Sequence, residues 1–270
     1  MSTRAAVWAG QFYPARKEAL LAEIKRFDAG VAAQDKKKCL GIMAPHAGYM
    51  YSGHVAGAAY SRIEVPSRVL ILGPKHRMPG AAIALSPDNE WETPLGNVQI
   101  CADLNAEIMR YCPMVALDAL AHVQEHSTEV HVPFVKYYNP SACISVIVMH
   151  SQDYSELRGL GEGIAEAVRA LGRDVLIVAS SDMSHFESQA ATEKRDKLAI
   201  DRVLALDDKG LHDTVQENDI SMCGYAPTVA MLAACRKLGA KEARLVKYAT
   251  SGDVTGDYAS VVGYASIIVT

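Results

Sequence analysis

The stretch Val69-Leu70-Ile71-Leu72 is continuously apolar and leads directly into Gly73-Pro74-Lys75-His76. Residues 144–149, which are apolar except for Ser145, and residues 175–178 are two further runs of strand length. Such runs are typical of strands that are buried on both faces, and these strands lie in the middle of a sheet between layers of helices. The three runs therefore predict the centre of an α/β sheet.

Strand-like and helix-like segments alternate on both sides of this centre. The apolar side chains of residues 154–171 recur at steps of three and four, which predicts an amphipathic helix. Helices are also predicted over residues 190–206 and 228–238, with a weaker pattern over 102–111. The predicted strands are residues 39–44, 68–73, 81–85, 142–149, 174–179, 243–249 and 258–269.

This alternation predicts a three-layer α/β sandwich, with a central mixed β-sheet flanked by helices. We expect a single domain over residues 1–270, because no linker or internal repeat interrupts the pattern. The last two strands are joined by residues 251–257 without a helix, which predicts an antiparallel pair at one edge.

Composition excludes several kinds of partner. The chain has 270 residues, and 27 basic side chains face 31 acidic ones, so no basic excess is present to neutralise nucleic-acid phosphates. No apolar segment is long enough for a transmembrane helix, and residues 1–10 lack the apolar stretch of a secretory signal. The six cysteines contain no C-x-x-C pair, and most are expected to be small core residues. We therefore expect a cytoplasmic protein without nucleic-acid or membrane partners.

Histidines follow three of the predicted strands. His46 follows the strand at 39–44, His76 follows the strand at 68–73, and His185 follows the strand at 174–179 after a short loop. Ligands of open α/β sheets bind beyond the carboxyl ends of the strands, and imidazole is the commonest transition-metal ligand. His46 and His76 are therefore the first two candidate metal ligands.

Cys223 is the candidate third ligand. It lies just before the helix predicted at 228–238, and the partial positive charge of a helix N-terminus favours thiolate, the form that binds metals. The pattern leaves open a second interpretation, in which Cys223 is a small buried residue beside a turn.

Asp182 and His185 lie three residues apart in one short loop. Asp182 would be a fourth ligand or would orient a metal-bound histidine, and His185 would transfer protons as the catalytic acid or base. The alternative for this pair is structural, with Asp182 as a helix N-cap and His185 in the first helical turn.

The segment 125–134 holds a fourth group, His126, Glu129 and His131. We expect these side chains to line the cleft and to hydrogen-bond the ligand histidines or a substrate. A zinc-peptidase motif is disfavoured, because one residue separates Glu129 from His131. Phosphate-loop, dinucleotide-binding and serine-hydrolase motifs are absent from the sequence.

Several motifs together resemble a known family. In chain order they are Phe12-Tyr13-Pro14, Ala44-Pro45-His46-Ala47-Gly48-Tyr49, Leu72-Gly73-Pro74-Lys75-His76, Thr93-Pro94-Leu95-Gly96, Glu125-His126-Ser127, His131-Val132-Pro133-Phe134, Ser180-Ser181-Asp182-Met183-Ser184-His185 and Cys223-Gly224. This set, which extends over nearly the whole chain, resembles the MEMO family, also called AmmeMemoRadiSam system protein B.

The resemblance implies a fold similar to the LigB-like class III extradiol dioxygenases. It also implies metal binding by His46, His76 and Cys223, and an acid–base role for His185. The dioxygenases use a carboxylate where this chain has Cys223, so ring cleavage does not transfer with the fold. We expect Fe(II) as the metal, with copper second and zinc third. The family name further implies radical-SAM and AMMECR1-like partner proteins.

Three functions remain open at this stage. The first is a metal-dependent redox enzyme with an unknown substrate, whose metal is iron or copper. The second is a binding module, in which a vestigial cleft holds a small molecule, a peptide or a partner protein. The third is copper or iron handling, for which a thiolate, two imidazoles and methionines near the loops are suitable. These methionines are Met43, Met50, Met78 and Met183.

Overall fold

The computed structural model of the chain describes residues 2–28 and 30–270. Residues 1 and 29, which fall within the predicted 1–270 domain, lie outside the described residues. The strands are β1 (Thr3–Arg4), β2 (Gly41–Ala44), β3 (Arg68–Pro74), β4 (Ile83–Leu85), β5 (Glu90–Trp91), β6 (Val98–Gln99), β7 (Ala116–Leu117), β8 (Cys143–Met149), β9 (Leu176–Ser180), β10 (His185–Glu187), β11 (Ala243–Thr250) and β12 (Val261–Val269). The α-helices are α1 (Lys17–Phe27), α2 (His54–Tyr60), α3 (Ala102–Tyr111), α4 (Val132–Tyr138), α5 (Tyr154–Leu171), α6 (Gln189–Leu204), α7 (Asp208–Glu217), α8 (Tyr225–Leu238) and α9 (Gly252–Thr255).

The three apolar runs of the sequence form the centre of the main sheet, as predicted. Strands β2, β9, β3 and β8 lie side by side in that order and run parallel. Strand β12 pairs antiparallel with β2 on one side, and β4 pairs antiparallel with β8 on the other. The sheet is therefore mixed, with a parallel centre and antiparallel margins.

Each central strand packs against helices on both faces. Leu70 and Leu72 of β3 belong to a core that includes residues of α3, α5 and α8. Val69 and Ile71 alternate with them and face a second core, built with α1, α2 and α4. Full burial of an aliphatic side chain of this size stabilises the fold by about 1.5–3 kcal/mol. The predicted three-layer α/β sandwich is confirmed.

The antiparallel pair at the end of the chain is confirmed with one difference. Strands β11 and β12 pair along nearly their whole length, but β12 also pairs with β2 and with β10, so it does not lie at the margin. The connection predicted as a loop at 251–257 contains α9. Helix α8 starts earlier than predicted, at Tyr225, because Pro227 is tolerated in a first helical turn.

Several features of the fold were not predicted, among them helices α1, α2, α4 and α7. A small sheet joins β1, β5 and β6, whose two-residue strands are too short to give a periodic signal. Cys101 and Cys143 form a disulfide that the sequence analysis did not predict, and Cys101 is buried in the core as expected of most cysteines. An isolated β-bridge between the backbones of Ile100 and Ile144 brings the two cysteines together. The spacing of the cysteines in the sequence does not reveal that contact.

Within residues 2–28 and 30–270, none of the helices combines the length and the apolar character that crossing a bilayer requires.

Candidate metal centre

The carboxyl ends of three neighbouring parallel strands lie together on one side of the main sheet. Strand β9 lies between β2 and β3, and the loops that follow the three strands carry His46, Asp182 and His76. Parallel strands deliver their carboxyl ends to the same edge, which is where ligands of open α/β sheets bind. The topology therefore gathers side chains that lie far apart along the chain.

Cys223 reaches this edge because Gly224 allows a close approach. A Cβ atom on Gly224 would lie 2.1 Å from the carbonyl oxygen of Ser180, at the end of β9. The backbone N–H of Gly224 also donates a hydrogen bond to Ser181 Oγ at 3.1 Å. Only glycine fits here, so the residue pair Cys223-Gly224 brings both the thiol and the start of α8 against the strand ends.

His46, His76 and Cys223 form a cluster with the geometry of a metal site. Each offers one ligand atom, and these atoms all lie within 4.8 Å of one another. The Nε2 atom of His46 is 3.3 Å from Cys223 Sγ, and the two imidazole centroids are 5.3 Å apart. Ligands at bond lengths of about 2.0–2.3 Å from one tetrahedral ion are separated by roughly 3–4 Å. The cluster can therefore hold a single ion with little movement.

The hydroxyl group of Ser180 fixes the tautomer of His46. Ser180 Oγ donates its single hydrogen to the carbonyl oxygen of Ser127 at 2.6 Å. It must then accept hydrogen bonds from His46 Nδ1 at 2.7 Å and from His131 Nε2 at 2.9 Å. His46 therefore carries its proton on Nδ1, which leaves the lone pair of Nε2 directed at Cys223.

Glu125 fixes His76 in the same tautomer. One carboxylate oxygen accepts a hydrogen bond from His76 Nδ1 at 2.9 Å, and the other accepts from the His76 backbone N–H at 2.6 Å. Since a carboxylate only accepts, the proton of His76 is on Nδ1 and Nε2 is free to bind a metal. A carboxylate behind a ligand histidine is a recurrent feature of metal sites.

Glu125 was missed as a site residue by the sequence analysis, although it directly precedes His126 in the same motif. It also contributes to a second cluster, with His76 and His126. The Glu125 oxygens already accept from His76 and from the backbone N–H of Ser127. The cluster that contains Cys223 therefore makes the better metal site, with Glu125 orienting one of its ligands.

The same carboxylate has a shifted pKa. Burial alone would raise the pKa of Glu125, but the hydrogen bond from the His76 ring and electrostatic attraction to that ring, together with the hydrogen bond from the Ser127 backbone N–H, outweigh burial and lower the pKa to about 2. Glu125 is therefore ionised at neutral pH and remains an acceptor for His76 Nδ1.

Burial acts in opposite directions on the pKa values of the imidazole and the thiol. It lowers the pKa of His46 well below its usual range, which keeps the ring neutral and its lone pair available. It raises the pKa of Cys223 well above the usual range, and the charge of Asp182 raises it further. The argument from the helix N-terminus, which favoured thiolate, is therefore outweighed by burial in the metal-free protein.

Asp182 supports the His46 loop and does not cap a helix. Its Oδ1 atom accepts hydrogen bonds from the backbone N–H groups of His46 at 2.7 Å and Ala47 at 3.2 Å. The next helix, α6, begins only at Gln189, so the N-cap alternative is wrong. Asp182 therefore orients the backbone of one candidate ligand, and its second oxygen lies 4.0 Å from His46 Nε2.

His185 lies in β10 and not in a helical turn, so the structural alternative for this residue is also wrong. Its Nδ1 atom donates to the carbonyl oxygen of Ser221 at 2.9 Å, and its backbone N–H donates to Ser221 Oγ at 2.8 Å. The Nε2 atom of the neutral ring then carries a lone pair. This arrangement is suited to accepting a proton at Nε2.

The remaining predicted residues have different surroundings. His126 stacks on His76 with ring centroids 4.6 Å apart, and His131 reaches His46 through Ser180. Glu129 makes no hydrogen bond to a ligand histidine, contrary to expectation. It accepts from Tyr13 and from Arg4, because it anchors the N-terminal segment.

A cleft of about 460 Å³ opens onto the cluster, and His76 and Cys223 lie in its wall. The exposed side chain of Met78 lines the same cleft. Met43 and Met183 are buried in the core, where they pack against other apolar side chains. Met50 is also exposed but does not line the cleft, so of these four methionines Met78 is the one placed to contact a molecule bound there.

Comparisons with known proteins find related sequences over nearly the whole chain. The sequence pattern of the family described as "Memo-like protein" matches residues 4–268. A MEMO1 family protein of Methanothermobacter thermautotrophicus, MTH_45, is 42% identical over 239 residues, which cover 87% of this chain and 86% of that protein. The MEMO1 family protein MK0963 of Methanopyrus kandleri is 40% identical, with 96% of both chains covered. The resemblance found in the sequence motifs is confirmed.

A solved structure shares the fold. The uncharacterized protein JW3007 from Escherichia coli K12 superposes with a TM-score of 0.52 at 13% sequence identity, covering 84% of this chain and 99% of that chain. The likeness supports the three-layer α/β sandwich expected from the sequence and concerns the fold alone.

Proposed function

The chain belongs to the Memo-like protein family, and from that premise we propose that it is a metal-dependent redox protein with one non-haem metal site. The ligands in this proposal are His46, His76 and Cys223. The observation that carries it is the tautomer of both imidazoles. Separate hydrogen bonds, to Ser180 and to Glu125, place the proton of each ring on Nδ1 and leave each Nε2 free.

The ligand set bears on the choice of metal. Two imidazoles suit iron, copper and zinc, and a thiolate adds a soft, charge-donating ligand that suits copper(I) and alters the potential of iron. We propose Fe(II) as the working metal, since the fold resembles that of iron dioxygenases. A bound metal of this kind would supply electron transfer to a substrate or to O₂. It would also offset the burial that keeps the Cys223 thiol protonated.

The surrounding residues have defined roles in this proposal. His185, whose Nδ1 is held by Ser221 at the wall of the cleft, would be the proton acceptor through Nε2. Asp182 holds the His46 loop through two backbone N–H groups. The substrate occupies the cleft that is walled by His76 and Cys223. Its identity stays open, and the carboxylate-to-thiolate difference argues against assigning ring cleavage.

The test is the metal content of protein purified without oxygen, since air oxidises thiolates. Wild-type protein should bind one Fe(II) per chain, and His46→Ala and Cys223→Ser should lose most of the metal. The matched controls are His54→Gln and Cys39→Ser, which should bind as wild type does. Cys39 lies before β2, at the opposite edge of the sheet. Equal metal content in all four variants would contradict the ligand assignment.

Copper handling is a second candidate, favoured by one observation. Met78 is exposed and lines the same cleft as Cys223, where its thioether would be a soft ligand during transfer of copper(I). An anaerobic competition titration with a copper(I) chelator distinguishes the two functions. Tight copper(I) binding that weakens in Met78→Leu favours handling, and weak binding excludes it.

A further inference from the structure

We propose that Arg4, at the start of the chain, is a positioning residue for the metal centre. It clamps residues 122–129 and, through Glu125, fixes the orientation of His76. The inference rests on the proposed function for its relevance to metal binding, but the orientation of His76 can be measured without a metal.

The guanidinium group of Arg4 binds three points on this segment. Its Nε donates to the carbonyl oxygen of His122 at 3.0 Å, and one terminal nitrogen donates to the carbonyl oxygen of Glu125 at 2.9 Å. The other terminal nitrogen pairs with the carboxylate of Glu129. The group also lies 4.3 Å from the ring centroid of Trp91. The planar guanidinium group of Arg4 therefore contacts both ends of the segment, at His122 and Glu129, and its middle, at Glu125.

The clamped segment has little regular structure to define its shape. Residues 123–128 lie between two short 3₁₀ turns, Leu120–His122 and Glu129–His131. Helices and strands fix their own backbone through repeated hydrogen bonds, and a connecting segment of this kind depends on side-chain contacts instead. Arg4 supplies such contacts at His122, Glu125 and Glu129.

The segment in turn fixes one metal ligand. Glu125 accepts from both the backbone N–H and Nδ1 of His76, and His126 stacks on the His76 ring. Glu125 itself is fully buried, so its carboxylate has no solvent-exposed alternative position. A rotation of the Glu125 backbone would therefore move the carboxylate away from His76 and release the ring.

Lysine cannot replace arginine in this arrangement. The fork of the guanidinium group spreads its donors over two carbonyl oxygens and a carboxylate, and an ammonium group is a single point of charge. Arg4→Lys would keep the positive charge beside Glu129 and lose the bridge between His122 and Glu125. The substitution therefore tests the contacts to the two carbonyl oxygens separately from the buried ion pair with Glu129.

The experiment compares Arg4→Lys with Glu129→Gln by amide hydrogen exchange and by anaerobic Fe(II) affinity. The informative amides are those of His76 and Ser127, which both donate to the Glu125 carboxylate. In Arg4→Lys they should exchange about 10-fold faster or more, with the amides of β9 unchanged. Fe(II) affinity should fall about 10–100-fold, as when a group that supports a ligand is lost.

Glu129→Gln is the matched control, because it removes the charge partner and leaves the two carbonyl contacts. It should lower the unfolding midpoint but change Fe(II) affinity less than about twofold. Unchanged exchange at His76 and Ser127 in Arg4→Lys would overturn the inference. Equal acceleration at β9 would also overturn it, since that result indicates a general loss of stability. If wild-type protein binds no metal but the exchange result holds, the proposed function fails and the positioning of His76 by Arg4 stands.

Discussion

The Nε2 atom of His46 and the Sγ atom of Cys223 lie 3.3 Å apart, although 177 positions separate the two residues in the chain. The contact joins the loop after β2 to the segment before α8. His46 is buried and Cys223 is partly buried, so a neutral imidazole faces a thiol whose pKa burial raises well above its usual range. A cation between them would stabilise the thiolate and use the free lone pair of the imidazole.

Cys223→Asp should change which metal the site prefers. The replacement converts two imidazoles and a sulfur into two imidazoles and a carboxylate, the set typical of non-haem Fe(II) enzymes. Copper(I) affinity should fall at least about 10-fold because the soft ligand is lost, and Fe(II) binding should persist. Anaerobic titrations with both metals measure this, with Cys223→Ala as the control that lacks a ligand at position 223. Undiminished copper(I) binding in Cys223→Asp would show that the sulfur is not a ligand.

Ser180→Ala should weaken metal binding and destabilise the protein. Without the hydroxyl, the N–H groups of His46 and His131 lose their common acceptor, which costs about 1–3 kcal/mol of folding free energy. Metal affinity should fall about 10–100-fold, because the His46 ring is no longer held in one tautomer. Urea unfolding and Fe(II) titration report the two effects.

Ser145→Ala is the control for that substitution. The hydroxyl of Ser145 is equally buried but has no hydrogen-bond partner within the described part of the chain. Its removal should leave both stability and metal affinity close to wild type. Matching effects of the two substitutions would refute the role assigned to Ser180.

Gly224→Ala should separate Cys223 from the two histidines. The new Cβ atom would lie 2.1 Å from the carbonyl oxygen of Ser180, so the start of α8 must move away from β9. Overpacking of this kind costs about 1–3 kcal/mol, and we expect loss of most Fe(II) binding. Gly159→Ala in α5 is the control, since its Cβ would meet only Met114, at 3.5 Å. Normal metal content in Gly224→Ala would argue against this packing.

The buried ring of His122 should make stability fall in acid. Burial, assisted by the charge of Arg4, lowers its pKa from the ordinary 6.5 to about 4. The unfolded chain therefore takes up this proton first as the pH falls. The contribution of neutral His122 to the free energy of unfolding is complete above pH 6.5. It is lost progressively towards pH 4, at a cost of up to about 3 kcal/mol.

Urea unfolding of wild type and His122→Phe across this pH range isolates the effect of that one ring. As the pH falls from 6.5 to 4, the free energy of unfolding of wild type should decrease by up to about 3 kcal/mol relative to that of the variant. A difference that does not depend on pH would contradict the pKa assignment.

The sequence by itself determined the layers of the fold, the positions of the longer strands and those of helices α3, α5, α6 and α8. Apolar runs such as residues 69–72 are typical of strands that are buried on both faces, and apolar residues at steps of three and four specify the helix at Tyr154–Leu171. The motifs also identified the family and placed His46 and His76 at strand ends. These are local properties, since they depend on neighbours within a few positions.

Only the tertiary structure decided which side chains meet and in what chemical state. The sequence left Cys223 open between ligand and core residue, and the close approach at Gly224 settles its place beside His46. It gave no sign that Ser180 would accept from two rings or that Cys101 would pair with Cys143. Contacts of this kind depend on strand order and on the paths of distant segments. Burial, which sets the pKa of each group, arises only when those segments pack together.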